Sequence, residues 1–345
     1  MDVSIIIILF LLFPISWLLC KSVIKYTLKK SILDIPNDRS SHLNAKPRGG
    51  GLAVVITFLA FVCVMFILKL ISLRFFLAFF GGGGLIAYIS WIDDRKNGLS
   101  IKTRLLVQFM AAIWSVYWLQ GLPQLSFGIN IIPLGFFGTL LSIIGILWVT
   151  NLYNFMDGID GLAASEAVNI GIFAGCLLLI AGTGSLASIS FALALSSLGF
   201  LVWNWPPSKI FMGDVGSSFL GFIFAVLAIA SENNGGVPLV IWTLLLGVFL
   251  VDATATLIRR IYLRECWYQA HRSHAYQCAT QIGFTHKQVT LAIIFLNIVL
   301  AIFALTIWYY PCFATPIIIV AFLGLLIIHF SVYNKWKYLI KKNDY

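Results

Sequence analysis

IPLGFFGTLLSIIGILWVTNLYNFMDGIDG, Ile132 to Gly161, sets a long apolar run directly against a polar one. The part ending at Thr150 is about as long as a helix needs to cross the hydrocarbon core of a bilayer, roughly 20 residues. The eleven residues after it hold two Asn, two Asp and two Gly. Carboxylates at a membrane boundary are costly and usually functional, so this junction predicts a transmembrane helix that ends in a site.

Similar runs recur from end to end. Of 345 residues, 60% are hydrophobic and 10% charged, whereas soluble domains are about 45–50% apolar and 25% charged. The fold class this predicts is all-α, a polytopic integral membrane protein forming one catalytic domain over 1–345. The spans fall at roughly 3–20, 51–70, 74–92, 102–119, 131–150, 164–182, 185–203, 215–231, 237–258, 288–308 and 312–332, eleven in all. The segments are continuously apolar rather than alternating, which excludes a β-barrel.

Orientation follows from the basic residues, which accumulate in cytoplasmic loops. With the N-terminus outside, 21 of the 23 Lys and Arg lie inside, leaving only Lys69 and Arg74 outside. The net charge of +10 is therefore mainly a topology signal, with anionic lipid or substrate as a second use. It does not call for nucleic acid. The first span reads as retained: MDVS lacks a basic start, and Lys21, Lys25, Lys29 and Lys30 follow the apolar run. The six Cys form no CxxC pair, so neither a disulfide framework nor a zinc site is expected.

The carboxylates gather on the inner side. Asp93 and Asp94 end the third span (AYISWIDDRKN), Asp157 and Asp160 follow the fifth, and Asp214 opens the eighth (FMGDVGSS). Asp252 lies inside the ninth (FLVDATATLIRR). Any one of them reads equally well as a solvated or paired span end. Several on one face, beside Gly-rich turns, suit Mg²⁺, which is commonly held by a few carboxylates plus substrate phosphates.

Asn151, Asn154, Asp157 and Asp160 are spaced by three, a step that drifts about 60° around a helix. They share a broad face, and Gly158 and Gly161 let backbone approach a ligand closely. Gly213, Gly216, Ser217 and Ser218 surround Asp214 where a helix begins, and free amides there favour anions, although Asp and Ser also cap helices. RGGG, Arg48 to Gly51, opens the second span in a similar way. Gly81–Gly84 reads as close helix packing. In WYQAHRSHAYQ, Trp267 to Gln277, His271, Arg272 and His274 read as partners for phosphate oxygens; without a third clear ligand, a metal site there is not supported.

In this order, the RSSH…KPRGGG region, WIDD, NLYNFMDGIDGLA, NWPPSKIFMGDVGSS, DATATLIRR and the His loop resemble the polyprenyl-phosphate N-acetylhexosamine-1-phosphate transferases over residues 34–280. The resemblance implies transfer of a sugar-1-phosphate from a UDP-N-acetylhexosamine to undecaprenyl phosphate, with UMP leaving and Mg²⁺ or Mn²⁺ required. It implies catalytic roles for Asp93, Asp94 and His274. It places Asn151, Asn154, Asp157, Asp160, Asn204, Arg272 and Lys46 around the nucleotide sugar and its phosphates, and the metal on Asp214. The implied setting is the bacterial inner membrane, in membrane lipid, with the site facing the cytoplasm; a homodimer is left open.

Some positions depart from the muramoyl-pentapeptide branch. The loop reads HRSH rather than consecutive His, and Asn97 follows Lys96 after the aspartate pair. These resemble instead the branch that initiates O-antigen and other surface polysaccharides, with a small donor: a 6-deoxy-N-acetylhexosamine or plain N-acetylglucosamine. Direct attack by the lipid phosphate is the expected mechanism, with Asp93 or Asp94 as base and a covalent aspartyl phosphate as the alternative. The rival function is a multi-span transporter of a small anion, which would hold its ionisable groups near the midplane.

Overall fold

Each of the eleven apolar runs becomes a helix or a broken helix. The structure is a computed structural model that describes residues 3–34, 45–96, 98–266 and 271–343. The RSSH stretch at 39–42, Asn97 and the loop segment 267–270 lie outside the described residues.

Helix α1 (Val3–Lys29) leads through a short ribbon, β1 (Leu33–Asp34) against β2 (Lys46–Pro47), to α2 (Gly51–Ile67). The third run is α3 (Leu73–Phe76), a π-helical stretch at Leu77–Gly82, and α4 (Gly83–Lys96). Helix α5 (Ile101–Leu119) precedes an antiparallel hairpin, β3 (Gln124–Phe127) and β4 (Asn130–Pro133), with Gln124 opposite Pro133. Then come α6 (Phe136–Phe155), α7 (Leu162–Ile180), α8 (Gly184–Asn204) and α9 (Asp214–Asn233). The ninth run breaks into α10 (Leu239–Leu245) and α11 (Gly247–Tyr262), bent by 78°. A short α12 (Ala275–Gln281) follows, then α13 (His286–Tyr309) and α14 (Ala314–Asn343).

Among the described residues, eight helices are long and apolar enough to cross a membrane, and the bent pair makes a ninth. Two expected spans fall short. Helix α2 has 17 residues, and α5 starts with Lys102 and Arg104. The expected number of eleven is therefore a count of helices, and length and apolarity alone support up to nine crossings.

Burial is graded across the bundle. Helix α9 has 94% of its span buried, α8 72% and α7 61%, against 28% for α1 and 17% for α14. The central position of α9 rests on small residues. A Cβ on Gly51 would stand 2.3 Å from the Cα of Gly216, so α2 and α9 touch backbone to backbone at their first turns. Gly81 and Gly82 face Trp114, Ser115 and Phe222 at distances only glycine allows and Gly83 packs tightly on Phe219, as expected for close packing, whereas Gly84 faces open space.

These contacts bring one end of each helix into register. The last turns of α4, α6 and α8 meet the first turns of α2, α5, α7, α9, α12 and α13.

Gly51→Ala should destabilise the protein by about 1–3 kcal/mol, because an added methyl has nowhere to go in a close-packed interior. Gly84→Ala should leave it unchanged or raise it by about 0.5–1 kcal/mol, since alanine favours helix. Thermal unfolding of the two variants in detergent checks this; equal transitions would refute the packing account.

Candidate active site

At the shared end, two guanidinium groups knit three carboxylates together. Arg48 Nε lies 2.8 Å from Asp94 Oδ1, and its Nη2 lies 2.7 Å from Asp214 Oδ1. Arg104 Nη1 lies 2.9 Å from both Asp93 Oδ2 and Asp214 Oδ2. Asn154 Nδ2 donates to Asp214 at 3.1 Å and to Ser217 at 2.9 Å. Burial opposes the charge of Arg48, yet Asp214 and then Asp94 and Asp34 hold its pKa above the ordinary value. It stays a cation.

Asp94 is 2% exposed, and its carboxylate accepts the backbone N–H groups of Asp214 and Val215, each at 3.0 Å. Those are the first two amides of α9, and the next two bond back to the Gly213 carbonyl at 3.1 Å. The anion seat expected at this helix start is thus filled by the protein's own carboxylate, and Gly216 serves the contact with Gly51. Asp93 is also committed, accepting from the Leu99 N–H as well as from Arg104.

A second knot surrounds Asp160. It accepts the Ser208 N–H at 3.0 Å and the Ser208 hydroxyl at 2.7 Å, with Lys46 Nζ at 3.5 Å and His286 Nδ1 at 3.6 Å. Burial pushes its carboxyl up, but the neighbouring His286 and the hydrogen bonds from Ser208 win and hold it well below the usual range. Asn204 Oδ1 accepts the Gly161 N–H at 3.0 Å, and its amide donates to the Ile210 carbonyl at 2.9 Å. Asn151 donates to Gln108 and to the Leu147 carbonyl, both at 2.8 Å. Both Asn side chains tie the scaffold together.

Asp157 differs. It is half-buried and makes no side-chain hydrogen bond among the described residues. Burial, then the charge of Asp214, pushes its carboxyl well above the usual range. The next residue, Gly158, abuts Tyr276: a Cβ there would stand 2.2 Å from the phenol oxygen, which donates to the Phe155 carbonyl at 2.9 Å. Asp157 thus links the guanidinium cluster to the imidazole loop.

In that loop His274 begins α12, 4% exposed, its ring roughly parallel to Phe155 and Tyr276 at 6.3 and 5.8 Å. Its Nδ1 lies 3.5 Å from Asp252 Oδ1, and Asp252 also accepts the N–H groups of Ala275 at 2.8 Å and Tyr276 at 3.1 Å. The ring of His271 lies 4.8 Å from that of His274. Burial, then His274 and nearby arginines, lowers its pKa to about 3, so it is neutral near pH 7 and Arg272 is the permanent cation of the pair.

Sequence reasoning singled out Asp93, Asp94, Asn154, Asp157, Asp160, Lys46, Asp214 and His274, and all of these meet at this end. It passed over Arg104, Ser208 and His286 as site residues, and gave Arg48 no role. Arg48 and Ser208 lie inside quoted motifs, RGGG and NWPPSKIFMGDVGSS, whose glycines and Asp214 drew the reading, whereas Arg104 and His286 sit at the start of apolar runs with no local pattern to mark them.

A helical membrane bundle that collects carboxylates, guanidinium groups and an imidazole loop at one end defines an enzyme working on charged groups at the bilayer surface. The profile described as "Glycosyl transferase family 4" matches residues 76–232. A probable undecaprenyl-phosphate N-acetylglucosaminyl 1-phosphate transferase of Bacillus subtilis is 31% identical, covering 82% of this chain and 81% of its own. The decaprenyl-phosphate N-acetylglucosaminephosphotransferase of Mycobacterium leprae is 31% identical over 75% and 72%. A phospho-N-acetylmuramoyl-pentapeptide-transferase of Endomicrobium trichonymphae is 28% identical over 75% and 79%. The chain belongs to glycosyl transferase family 4, the polyprenyl-phosphate hexosamine-1-phosphate transferases, and is a sugar-phosphate transferase.

The two kinds of aspartate should separate on mutation. Asp94→Asn leaves Arg48 and the α9 amides short of charge and should cost about 3–5 kcal/mol of stability, as for any broken buried pair. Asp157→Asn should keep the unfolding temperature at or above wild type while turnover falls by about 10²–10⁴, the usual weight of an acid–base group. Parallel thermal unfolding and turnover assays check this; a destabilised Asp157→Asn with normal specific activity would reverse the assignment.

Proposed function

We propose that the chain transfers an N-acetylhexosamine 1-phosphate from its UDP-sugar to undecaprenyl phosphate, releasing UMP and initiating a lipid-linked surface polysaccharide such as O-antigen. The observation that carries this reading is the convergence of Asp157, Asp214, Arg48, Arg104, Lys46 and the His274 loop at one end of a membrane bundle. A transporter would keep such groups near the midplane.

The residues fit a divalent cation bound together with substrate. Among the described residues, no group of three His, Cys, Asp or Glu stands close enough to hold a metal alone. Mg²⁺ typically takes only one or two carboxylates, completing its shell with water and substrate phosphates. Asp93, Asp94, Asp157 and Asp214 outnumber the arginines that face them, and Asp157 makes no side-chain hydrogen bond among the described residues. Asp214 would hold Mg²⁺ or Mn²⁺. The bound ion would supply charge neutralisation for the diphosphate and for departing UMP.

The acceptor is a phosphate monoester with a second pKa of about 6, so it is largely a dianion at neutral pH. Its oxygen attacks the sugar-linked phosphorus directly; the new P–O bond forms as the bond to UMP breaks. Little covalent chemistry is left to the protein beyond positioning and charge. The base role expected of Asp93 or Asp94 passes to Asp157, because the other two are engaged by arginines and amides. Asp157 takes any proton the acceptor still carries. Lys46, Arg272 and His274 orient phosphate oxygens.

The relatives' names favour N-acetylglucosamine over a muramoyl peptide as the donor. The chain would lie in the bacterial inner membrane, alone or as a homodimer, with its N-terminus outside and the site in the cytoplasm.

Purified protein should release UMP only when both UDP-N-acetylhexosamine and undecaprenyl phosphate are present. Chelator should abolish release, and Mg²⁺ or Mn²⁺ should restore it. Release without the lipid phosphate would sink this function; full activity in chelator would sink the metal.

Topology has its own check. Ser273→Cys in a Cys-free background should resist an impermeant thiol reagent in intact cells and react after lysis. Ready labelling before lysis would invert the protein in the membrane.

A further inference from the structure

Helix α14 contributes little to the core. Only 17% of its span is buried, and a cavity of about 340 Å³ remains where it meets α11, α12 and α13, lined by Val248, Leu325, Ile328 and His329 among others. Yet one face of this helix makes three polar or aromatic contacts at the imidazole loop. His329, Tyr333 and Trp336 follow one another at steps of four and three, so they share that face.

Each contact reaches the loop in two steps. His329, 3% exposed, places Nδ1 3.4 Å from Asp252 Oδ1, and Asp252 accepts the N–H groups of Ala275 and Tyr276. The ring of Tyr333 lies 3.8 Å from the Arg259 guanidinium, whose Nη2 donates to the Ser273 carbonyl at 2.7 Å. Trp336 Nε1 donates to Gln281 Oε1 at 3.1 Å, and Gln281 Nε2 donates to the Arg272 carbonyl at 2.8 Å. The backbone from Arg272 to Tyr276 is thereby held at three places by one helix that does little else.

We infer that α14 is a clamp for the imidazole loop, with His329, Tyr333 and Trp336 as positioning residues for Arg272 and His274. The Tyr333 and Trp336 contacts are partly exposed, so loosening them frees the loop without unpacking α9. The consequence for catalysis rests on the proposed role of Arg272 and His274 toward donor phosphates; the physical clamp does not.

The test uses the full-length protein in detergent or nanodiscs. Tyr333→Leu removes the ring face over Arg259, and Tyr333→Phe keeps it. The Leu variant should speed amide hydrogen exchange over 271–281. It should raise the KM for UDP-N-acetylglucosamine on the order of tenfold, with a smaller change in kcat, as for lost ground-state binding. The Phe variant should match wild type in both. In an Arg272→Ala background, Tyr333→Leu should add nothing further to KM, which a general loss of stability would not reproduce. Trp336→Phe gives a milder second variant should Tyr333→Leu fail to fold. Wild-type exchange over 271–281 in the Leu variant, or in Trp336→Phe where that variant stands in for it, would overturn the clamp. Faster exchange with an unchanged KM would uphold the clamp and refute the donor role of the loop.

Discussion

Asp94 holds the centre of this protein in place. Its carboxylate sits at the start of α9, accepting two amides at 3.0 Å, and pairs with Arg48 from the loop before α2. An anion at a helix N-terminus satisfies orphan donors and meets the positive end of the dipole, worth up to about 2 kcal/mol when partly buried. Here the anion comes from α4, 120 residues earlier in the chain. One side chain therefore sets α4, α9 and the entry to α2 relative to one another. Gly213 allows it, since a Cβ there would lie 2.6 Å from the Asp94 oxygen. The guanidinium cluster hangs from that junction, because Asp214 is both the capped residue and the proposed metal ligand.

The electrostatics follow. Asp93, Asp94 and Asp214 are brought together by two arginines, and a bidentate, permanently charged guanidinium suits carboxylates packed this closely. The same arginines are suited to phosphate oxygens. A diphosphate entering with its cation would therefore meet a set of pairs able to exchange partners: carboxylate toward metal, guanidinium toward phosphate. Asp160 belongs to a separate knot with Ser208, Lys46 and His286, and its depressed pKa keeps its own carboxylate ionised. Two acidic residues three apart in one motif thus have different tasks. Asp160 anchors the loop, and Asp157, which makes no side-chain hydrogen bond among the described residues, is the one proposed for chemistry.

Much of this was legible in the sequence for a plain reason. A helix crossing lipid must be apolar along its length, so the runs declare themselves, and carboxylates at their ends stand out against a chain with 10% charge. What a carboxylate does there was not legible. Asp93, Asp94 and Asp157 look alike as letters, and only their partners separate a cap, an ion pair and an unpartnered acid. Asn151 and Asn204 read as ligand-facing amides but tie helix to helix, because a polar side chain buried in a bundle must find a partner wherever one lies. Arg104 looked like an ordinary basic flank of a span, and His329 sits in the apolar run IIHFS. The span count was legible only as a helix count, since α2 and α5 are short or charged for the bilayer and rely on their neighbours.

The broken ninth run shows why rigidity and mobility are divided as they are. The bend of 78° between α10 and α11 changes the chain's direction and brings Asp252 beneath the imidazole loop. There Asp252 repeats the device of Asp94: a carboxylate from one helix accepting the first amides of another, here α12. At α9 the device is locked by close packing of Gly213 and Gly216 against Gly49 and Gly51. At α12 it is backed by a helix with a cavity beside it. The proposed transfer, in which a bulky nucleotide sugar binds and UMP leaves, would call for one wall that holds the phosphates in fixed geometry and one that can yield. The Asp94 junction fits the first, and the Asp252 junction, held only as firmly as the α14 clamp proposed above, fits the second.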